Sequence, residues 1–359
     1  MANGNTTPIR FGSDFTLAGS ATPYDLFLKI FSGEVLTAFE GTTVMKDLHM
    51  VRTITSGKSA QFPVTGTATA KFHTPGENIA DAGNSYLSDF KFSEKIINID
   101  GMMLSAAFTP NVDDLMNHYD ARSIISTELG RSLAYAFDKQ VTYNLFAAAR
   151  ANANIPGSTS SAGVPLGGGN VVEAAAKTNA QALINAIFDA VEILDTKDIP
   201  ATDRYVLLRP AEYYLLINDP NNANILVNRD FADASNGGVV SGRVYEVAGC
   251  KIVKSNFVPV GLNLKDTNAG VSGDQTDPFF GNAAIRNDVF GANGVGYAGI
   301  FTNTVAAVFH KAAVGTVKLL DLAMESEYQI ERQGTLMVAK MMCGTAPLRP
   351  ECAVEIKTA

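Results

Sequence analysis

The sequence predicts an α+β protein, and three patterns carry that prediction. Apolar residues recurring every four positions over Ala121–Arg150 predict one long helix. β-Branched residues between Val51 and Thr69 predict strands, as do the apolar runs between Val305 and Met341. Long helices combined with antiparallel strands indicate the α+β class.

The N-terminal elements come first along the chain. Residues 1–22 are rich in Gly, Asn, Thr and Ser, and this composition predicts an extended arm. Thr22–Pro23 then opens a helix, because a capping residue is followed by a proline that suits the first helical position. Gly41 ends this predicted helix.

The next stretch predicts a hairpin that protrudes from the fold. Gly57 and Gly66 break the β-branched run, which favours a first hairpin within 44–72. Residues 73–93 contain Pro75–Gly76 and few aliphatic side chains, so they cannot build a core of their own. We therefore expect a long loop that returns through a strand over Lys95–Phe108 and lies on a neighbouring subunit, since an isolated hairpin is barely stable.

The helix over Ala121–Arg150 would be about 45 Å long, far above the usual length, and would back a plate-like layer. A flexible connector over 152–170, with Gly167–Gly169 as a linker, is expected next. The later predicted elements are helices over Thr178–Leu194 and Pro210–Ile217, and strands over Tyr205–Leu208, Val244–Ala248, Ile252–Lys254, Val305–Phe309, Val317–Leu322, Tyr328–Glu331 and Leu336–Met341.

Composition narrows the class of protein. Charged residues make up 18% of the 359 residues, against about 25% in an ordinary soluble chain, while hydrophobic residues make up 46%. The apolar content excludes disorder for most of the chain. A membrane-spanning helix needs a run of about 18 apolar residues, and the sequence contains no such run. The net charge of −8 argues against nucleic-acid binding as the main role. The scarcity of charge suggests that much of the surface lies between subunits.

Motifs for chemistry are weak. Ser56–Ser59 resembles the end of a phosphate-binding loop, but Arg52 stands where that motif needs glycine, and a strand follows instead of a helix. Four isolated histidines, and three cysteines without close spacing, predict neither a metal site nor a disulfide framework. The carboxylate pairs Asp113–Asp114 and Glu325/Glu327 are better explained as a helix start and a strand face. We expect no catalytic residue, no metal and no cofactor.

Short strings along most of the chain share one resemblance. They are Tyr24–Glu34, Arg52–Thr53, Ser56–Ser59, Gln61–Phe62, Thr65–Gly66, Phe72–Gly76, Leu208–Pro210, Tyr213–Tyr214, Leu226–Asp230, Glu246–Gly249 and Lys254–Ser255. In this order they resemble the major capsid proteins of T-seven-like short-tailed phages (podophages). The resemblance is weakest over 260–298 and at the far C-terminus.

The resemblance implies the Hong Kong 97-like phage capsid fold and a division of the chain. An N-terminal arm with a helix would cover 1–50, and an extended loop hairpin (E-loop) would cover 51–98. A peripheral domain would comprise 99–167 and 305–359, with its spine helix at about 121–150. An axial domain would cover 168–304.

The same resemblance implies a function and partners. The protein would self-assemble, through hexamers and pentamers, into the icosahedral head shell that encloses the double-stranded DNA genome of a tailed phage. Assembly would pass through a procapsid in the host bacterial cytoplasm and use a separate scaffolding protein, with a portal protein at one vertex. The mature protein would reside in the virion, and contact with packaged DNA would not be sequence-specific. A decoration protein is left open, and no membrane is involved.

Candidate contacts between subunits follow from the same pattern. In the arm and loop they are aromatic or charged, and on the long helix they are basic. They are Tyr24, Phe27, Phe31, Lys58, Phe62, Phe72, His73, Glu77, Phe90, Arg122 and Arg131. For each charged member the competing interpretation is a solvated side chain that contributes well under about 1 kcal/mol.

Two other functions stay open at this point. One is a cellular nanocompartment shell (encapsulin-type) of the same fold, which would hold an enzyme cargo. The other is an enzyme with no recognisable motif, whose site is assembled only in three dimensions. The podophage-like strings favour the phage shell over the first, and the missing motifs count against the second.

Overall fold

The structure is a computed structural model that describes residues 43–66, 70–81, 86–87, 92–99, 101–112, 121–154, 167–175, 179–218, 246–259, 263–264, 299–301 and 303–358. It divides into two compact units. Apart from Thr43, the described parts of the smaller unit lie within Gly101–Phe137 and Leu319–Cys343. The larger unit comprises Val44–Asp100, Asp138–Lys318 and Gly344–Ala359.

Helices and strands are numbered in chain order among the described residues. The helices are α1 (Ala121–Arg150), α2 (Ala180–Thr196) and α3 (Pro210–Asn218). The strands are β1 (Met50–Thr53), β2 (Ser59–Thr65), β3 (Phe92–Asn98), β4 (Met103–Pro110), β5 (Asn170–Glu173), β6 (Arg204–Leu208), β7 (Glu246–Val247), β8 (Cys250–Lys254), β9 (Asn263–Leu264), β10 (Gly299–Ile300), β11 (Thr304–His310), β12 (Val314–Gln329), β13 (Gly334–Pro347) and β14 (Ala353–Lys357). Mixed helix and strand content agrees with the predicted α+β class.

The core of the larger unit is a six-stranded sheet in the order β5-β14-β11-β6-β8-β7. Its central strands β6, β11 and β14 pair antiparallel and are nearly continuous apolar runs, because both faces are buried. Helix α2 contacts β14 with one side and buries Leu183, Ile187 and Leu194. The Asn179 side chain caps this helix by accepting from the backbone N–H groups of Gln181 and Ala182.

Helix α1 confirms the long helix predicted over Ala121–Arg150. Leu129, Leu133, Phe137, Val141 and Leu145 of its apolar stripe are all buried. The C-terminal half also buries polar side chains, which the periodic pattern does not reveal. Two of these return to the helix's own carbonyls: Thr142 Oγ1 donates to Asp138 O at 2.7 Å, and Asn144 Nδ2 donates to Gln140 O at 3.0 Å.

A partly buried ion pair fixes the end of α1 within the larger unit. Arg150 donates from Nε and Nη2 to the two carboxylate oxygens of Glu355, each at 2.6 Å, and the Glu355 side chain is fully buried. Thr304 Oγ1 donates to the same carboxylate at 2.6 Å, and the Phe301 ring centroid lies 4.8 Å from the guanidinium carbon. Fork-to-fork geometry of this kind satisfies both charges inside the protein.

Two sequence predictions about strand pairing are wrong. The first hairpin predicted within 44–72 does not form, because β1 pairs in parallel with Gly315–Lys318 of β12. The single return strand predicted over Lys95–Phe108 is two strands: β3 pairs with β2, whereas β4 pairs with β13 in the four-stranded sheet β1-β12-β13-β4. The chain turns away after Asn98, where the Ile99 N–H donates to Lys58 O and closes the hairpin at its base.

Gly344 explains how the hairpin base fits into the larger unit. A Cβ atom at this position would lie 2.0 Å from Asn98 O and 2.8 Å from Ile99 Cα. Only glycine therefore allows β13 to pass this close to the backbone that leaves β3.

The prediction of a flexible linker at Gly167–Gly169 is also wrong. The Gly169 N–H donates to Ala151 O at 2.9 Å, and a Cβ atom at Gly169 would lie 2.3 Å from Ala148 O. A Cβ atom at Gly168 would lie 2.8 Å from Ala151 O, so Gly168 and Gly169 both serve close backbone contact at the end of α1 and not flexibility.

The turn between β7 and β8 offers a stability prediction. Ala248 (φ +52°) and Gly249 (φ +74°) both adopt left-handed conformations, as a two-residue type I′ hairpin turn requires. Alanine disfavours this region, whereas asparagine tolerates it. Ala248→Asn should therefore raise the free energy of unfolding of the subunit by about 1 kcal/mol, measured by urea denaturation. Ala248→Val is the matched control and should lower it.

Candidate inter-subunit surface

The β2–β3 hairpin has one buried face and one exposed face. Its register runs from Ser59 opposite Asn98 to Thr65 opposite Phe92, and directly opposed residues share a face. Ala60, Val64 and Ile97 lie on the first face and are buried. The second face carries Gln61, Pro63, Thr65, Phe92, Glu94 and Ile96, all exposed. We call this second face the outer face of the hairpin.

Large apolar side chains are exposed along the whole hairpin. On the outer face, Phe92 is 74% exposed and Ile96 is 41% exposed. Beyond the strands, Phe72 has 102% of its reference accessible area, and Ile79 and Leu87 are more than half exposed. Five large exposed apolar side chains within one hairpin make it a candidate surface for covering by another molecule.

The loop residues predicted as contacts lie together beyond the strands. The His73 and Tyr86 ring centroids are 5.3 Å apart, and His73 Nε2 lies 3.0 Å from Glu77 O. The Glu77 carboxylate accepts a hydrogen bond from the Tyr86 hydroxyl. Phe72 precedes this cluster directly, so the structure brings Phe72, His73 and Glu77 into one exposed segment.

Lys58 and Phe62 lie nearer the base of the hairpin. The Lys58 side chain is exposed, while its carbonyl accepts from the Ile99 N–H at 2.7 Å. Phe62 is half-buried, and the Arg52 guanidinium carbon stands 5.6 Å from its ring centroid. Arg52 Nη1 also donates to Gln61 O at 3.0 Å. Phe62 thus has a partner within its own chain.

Two of the candidate contacts, Arg122 and Arg131, lie on helix α1. The Arg131 side chain is only 11% exposed, and its Nη1 lies 2.7 Å from Glu128 Oε1 one turn earlier on α1. Arg122 lies in the first turn of α1. Tyr24, Phe27, Phe31 and Phe90 lie outside the described residues.

Sequence reasoning missed the two apolar residues of the outer face, Phe92 and Ile96. A shift of one residue in strand register moves every side chain to the opposite face, so the exposed face follows only from the pairing. The predicted return strand also began at Lys95 and left Phe92 in the loop. The sequence gives little local signal for them, because Phe92–Asn98 shows no regular alternation of apolar and polar residues.

A buried network ties the start of the described chain to α1 within the larger unit. The Asp138 carboxylate accepts from the backbone N–H of Val44 at 2.8 Å and of Met45 at 3.3 Å. His49 Nδ1 lies 2.6 Å from Met45 O. Burial raises the pKa of Asp138 from its ordinary 3.8 to about 6, although the two N–H groups oppose this shift. Burial likewise lowers the pKa of His49 from 6.5 to about 4.

These two shifts predict opposing dependences of stability on pH. Between about pH 4 and pH 6, folded Asp138 holds a proton that the unfolded chain releases, so its contribution to stability falls as pH rises. Over about pH 4 to 6.5, unfolded His49 binds a proton that the folded state lacks, so its contribution rises with pH. In Asp138→Asn, the free energy of unfolding should therefore rise more steeply with pH than in the wild type.

His49→Gln supplies the control for this prediction, because it removes the opposite contribution. Its free energy of unfolding should fall with pH relative to the wild type over the same range. Urea denaturation of unassembled subunits, repeated across this range, gives both slopes. Parallel curves for the three proteins would contradict the buried network.

The described residues contain no group of three or more His, Cys, Asp or Glu side chains that could hold a metal ion. The three cysteines are free and buried, and burial raises the pKa of the Cys352 thiol to about 12 and also raises that of Cys250. Among the helices in the described ranges, none is long and apolar enough to cross a membrane.

Comparison with known proteins identifies relatives. A family model described as "Gp10A-like: Major capsid protein" matches residues 61–357. The major capsid protein of Escherichia phage T7 is 36% identical over 344 residues, which cover 91% of this chain and 90% of the relative. That of Enterobacteria phage T3 is 33% identical over 339 residues, with the same two coverages.

Solved structures agree with these relatives. The capsid structure of cyanophage P-SCSP1u shares 36% identity with a TM-score of 0.70, and the match covers 99% of both chains. The asymmetric unit of the mature capsid of bacteriophage PhiM1 shares 20% identity with a TM-score of 0.67, covering 98% of this chain and 99% of the other. The second likeness concerns the fold alone.

Proposed function

The chain belongs to the Gp10A-like family of major capsid proteins, and from that premise we propose that its β2–β3 hairpin binds a neighbouring subunit of the shell. The protein is a structural capsid protein of a tailed phage with a Hong Kong 97-like fold, and it resides in the virion. It is not an enzyme, and neither the nanocompartment nor the motif-free enzyme finds support among these relatives.

The exposed outer face of the hairpin is the observation that carries this proposal. Phe92 and Ile96 would face water in an isolated subunit, at a cost of about 25 cal/mol for each Å² of apolar surface. A capsid subunit always has neighbours in its shell, and a neighbour that covers this face removes the cost. A two-stranded hairpin also gains from such support, because it is barely stable alone.

Finer assignments extend the same proposal. The N-terminal arm covers 1–50, the E-loop 51–98, the peripheral domain 99–167 and 305–359, and the axial domain 168–304, with β11 and β14 completing the sheet of the axial domain. Helix α1 (Ala121–Arg150) acts as the spine of the peripheral domain. The tight packing of Gly344 against Asn98 and Ile99 supports a fixed base for the E-loop.

Assembly partners belong to the proposal as well. Subunits form hexamers and pentamers, with a separate scaffolding protein during assembly and a portal protein at one vertex. The shell encloses double-stranded DNA without sequence-specific contacts, and the net charge of −8 agrees with a lining that does not trap the genome. A decoration protein could bind the outer surface of such a shell.

Electron microscopy tests this function directly. The protein is expressed with and without a scaffolding protein, and particles are imaged by negative stain. Hexamers, pentamers or closed shells are the expected result, because many weak contacts per subunit sum to cooperative closure. A protein that stays monomeric under both conditions would contradict the proposal.

A further inference from the structure

The described loop residues 70–81 and 86–87, beyond β2 and β3, contact one another although nearly all of them are exposed. All of residues 70–81 are exposed, and Phe72 has 102% of its reference accessible area. Water could satisfy every polar group of such a segment. The side chains nevertheless form a closed set of contacts around Tyr86.

Tyr86 lies at the centre of these contacts. Its hydroxyl oxygen accepts from the Thr74 N–H at 3.1 Å, and the same hydroxyl donates to the Glu77 carboxylate. The His73 ring packs at a tilt against the Tyr86 ring, with centroids 5.3 Å apart, and His73 Nε2 lies 3.0 Å from Glu77 O. One side chain thus bridges 12 residues along the chain, from Thr74 to Tyr86.

The backbone of the segment is constrained as well. The Glu77 N–H donates to Thr74 O at 3.1 Å, which closes a turn over Pro75 and Gly76. Gly76 has φ +96°, a conformation that other residues rarely adopt. Phe72 directly precedes the constrained residues, so the backbone next to it is held by their contacts.

We propose that Tyr86 preorganises the loop so that Phe72 inserts as an anchor into a neighbouring copy of this chain. The inference rests on the proposed binding of the hairpin to a neighbouring subunit, and it assigns the residues that carry that binding. Exposed hydrogen bonds add little to the stability of a fold. Their effect instead is to order the loop before binding, which lowers the entropy cost of association.

A second copy is the occupant that the structure favours. Ile79 and Leu87 are exposed like Phe72, and members of a capsid protein family have neighbouring copies that can cover such apolar side chains. The charge of the segment does not favour binding of nucleic acid, because its one basic residue, Lys71, is outnumbered by the acidic residues Glu77 and Asp81. Fully exposed aromatic residues are also typical anchors of protein interfaces.

Two substitutions separate the anchor from its positioning residue. Phe72→Ala removes the anchor and should raise the subunit concentration needed for assembly about 30-fold, as for an interface hot spot. Tyr86→Phe keeps the ring but loses the hydroxyl, and should raise that concentration about fivefold. Because Tyr86 acts through Phe72, the double variant should match Phe72→Ala alone. Light scattering over a series of concentrations measures all three.

A second readout does not depend on assembly. In unassembled subunits, the Thr74 N–H should exchange with solvent several-fold faster in Tyr86→Phe than in the wild type, because its acceptor is lost. Tyr214→Phe is the matched control: it alters an exposed tyrosine outside the hairpin and should leave both readouts unchanged.

The outcomes distinguish failure of this inference from failure of the proposed hairpin interface. If Phe72→Ala assembles like the wild type, Phe72 is not an anchor and the inference fails, while the outer face can still bind through Phe92 and Ile96. If Phe72→Ala impairs assembly but Tyr86→Phe changes neither assembly nor exchange, the positioning role of Tyr86 is overturned. If the double variant raises the assembly concentration by the product of the two single effects, Tyr86 acts independently of Phe72 and its positioning role is likewise overturned.

Discussion

Replacing Phe92 and Ile96 together with serine is expected to leave the subunit folded and to stop it from forming closed shells. Both side chains are exposed on the outer face of the hairpin, so their loss removes nothing from the subunit core. Each shell contact that uses this face would lose two apolar groups, and assembly multiplies the loss over many contacts. Negative-stain microscopy should show no shells at concentrations up to about ten times those that suffice for the wild type.

The control removes an exposed aromatic residue outside the hairpin. Phe188 on α2 is 54% exposed, and Phe188→Ser should leave assembly much closer to wild type. Circular dichroism of all the variants checks that the subunits fold. Normal shells from the double variant would contradict binding through the outer face, and equal failure of Phe188→Ser would show that any loss of surface apolarity has this effect.

Replacing Glu355 with alanine is expected to lower the free energy of unfolding of the subunit by about 2–3 kcal/mol, less than for a fully buried pair because the Arg150 side chain is 26% exposed. The substitution leaves the Arg150 guanidinium and the Thr304 hydroxyl without the carboxylate that accepts from both. The Glu355 side chain is fully buried, so water does not replace the lost interactions easily. Urea denaturation of unassembled subunits measures the change.

An exposed ion pair provides the comparison. Glu325 pairs with Lys340 in the smaller unit, and its side chain is 66% exposed. Glu325→Ala should therefore cost less than about 1 kcal/mol. Similar losses for the two variants would mean that the buried pair is not what fixes the end of α1.

The elements with strong periodic patterns could be predicted from the sequence. The long helix at Ala121–Arg150 and the helix at Ala180–Thr196 follow from apolar spacing, and both are present close to their expected bounds. Strand pairing could not be predicted in this way. Nothing local in the sequence tells β1 to pair in parallel with β12, more than 250 residues later, because such pairing depends on the whole sheet.

Two glycine positions show why composition misleads. Gly167–Gly169 has the composition of a linker, yet Gly169 packs on the last turn of α1 because only a residue without Cβ fits there. Gly344 lies inside a strand and allows β13 to approach the hairpin base. A flexible chain and a close backbone contact both favour glycine, and only the structure separates them.

The candidate contacts between subunits stay predictions. Within one chain, His73 and Glu77 form a cluster around Tyr86, which the sequence does not indicate because Tyr86 is hydrogen-bonded to residues 9 and 12 positions away. Arg131 was expected to pair across subunits, and its guanidinium is already engaged by Glu128. Whether it also reaches a neighbour stays a prediction.

Thiol labelling of a Thr65→Cys variant, before and after assembly, tests the central claim most directly. Thr65 is exposed on the outer face opposite Phe92, and the three native cysteines are buried, with raised thiol pKa values at Cys250 and Cys352. The introduced thiol should react quickly with a maleimide in unassembled subunits and be protected in closed shells. Full reactivity after denaturing the shells controls for loss of the thiol. Equal reactivity in free subunits and intact shells would contradict a hairpin face covered by a neighbouring subunit.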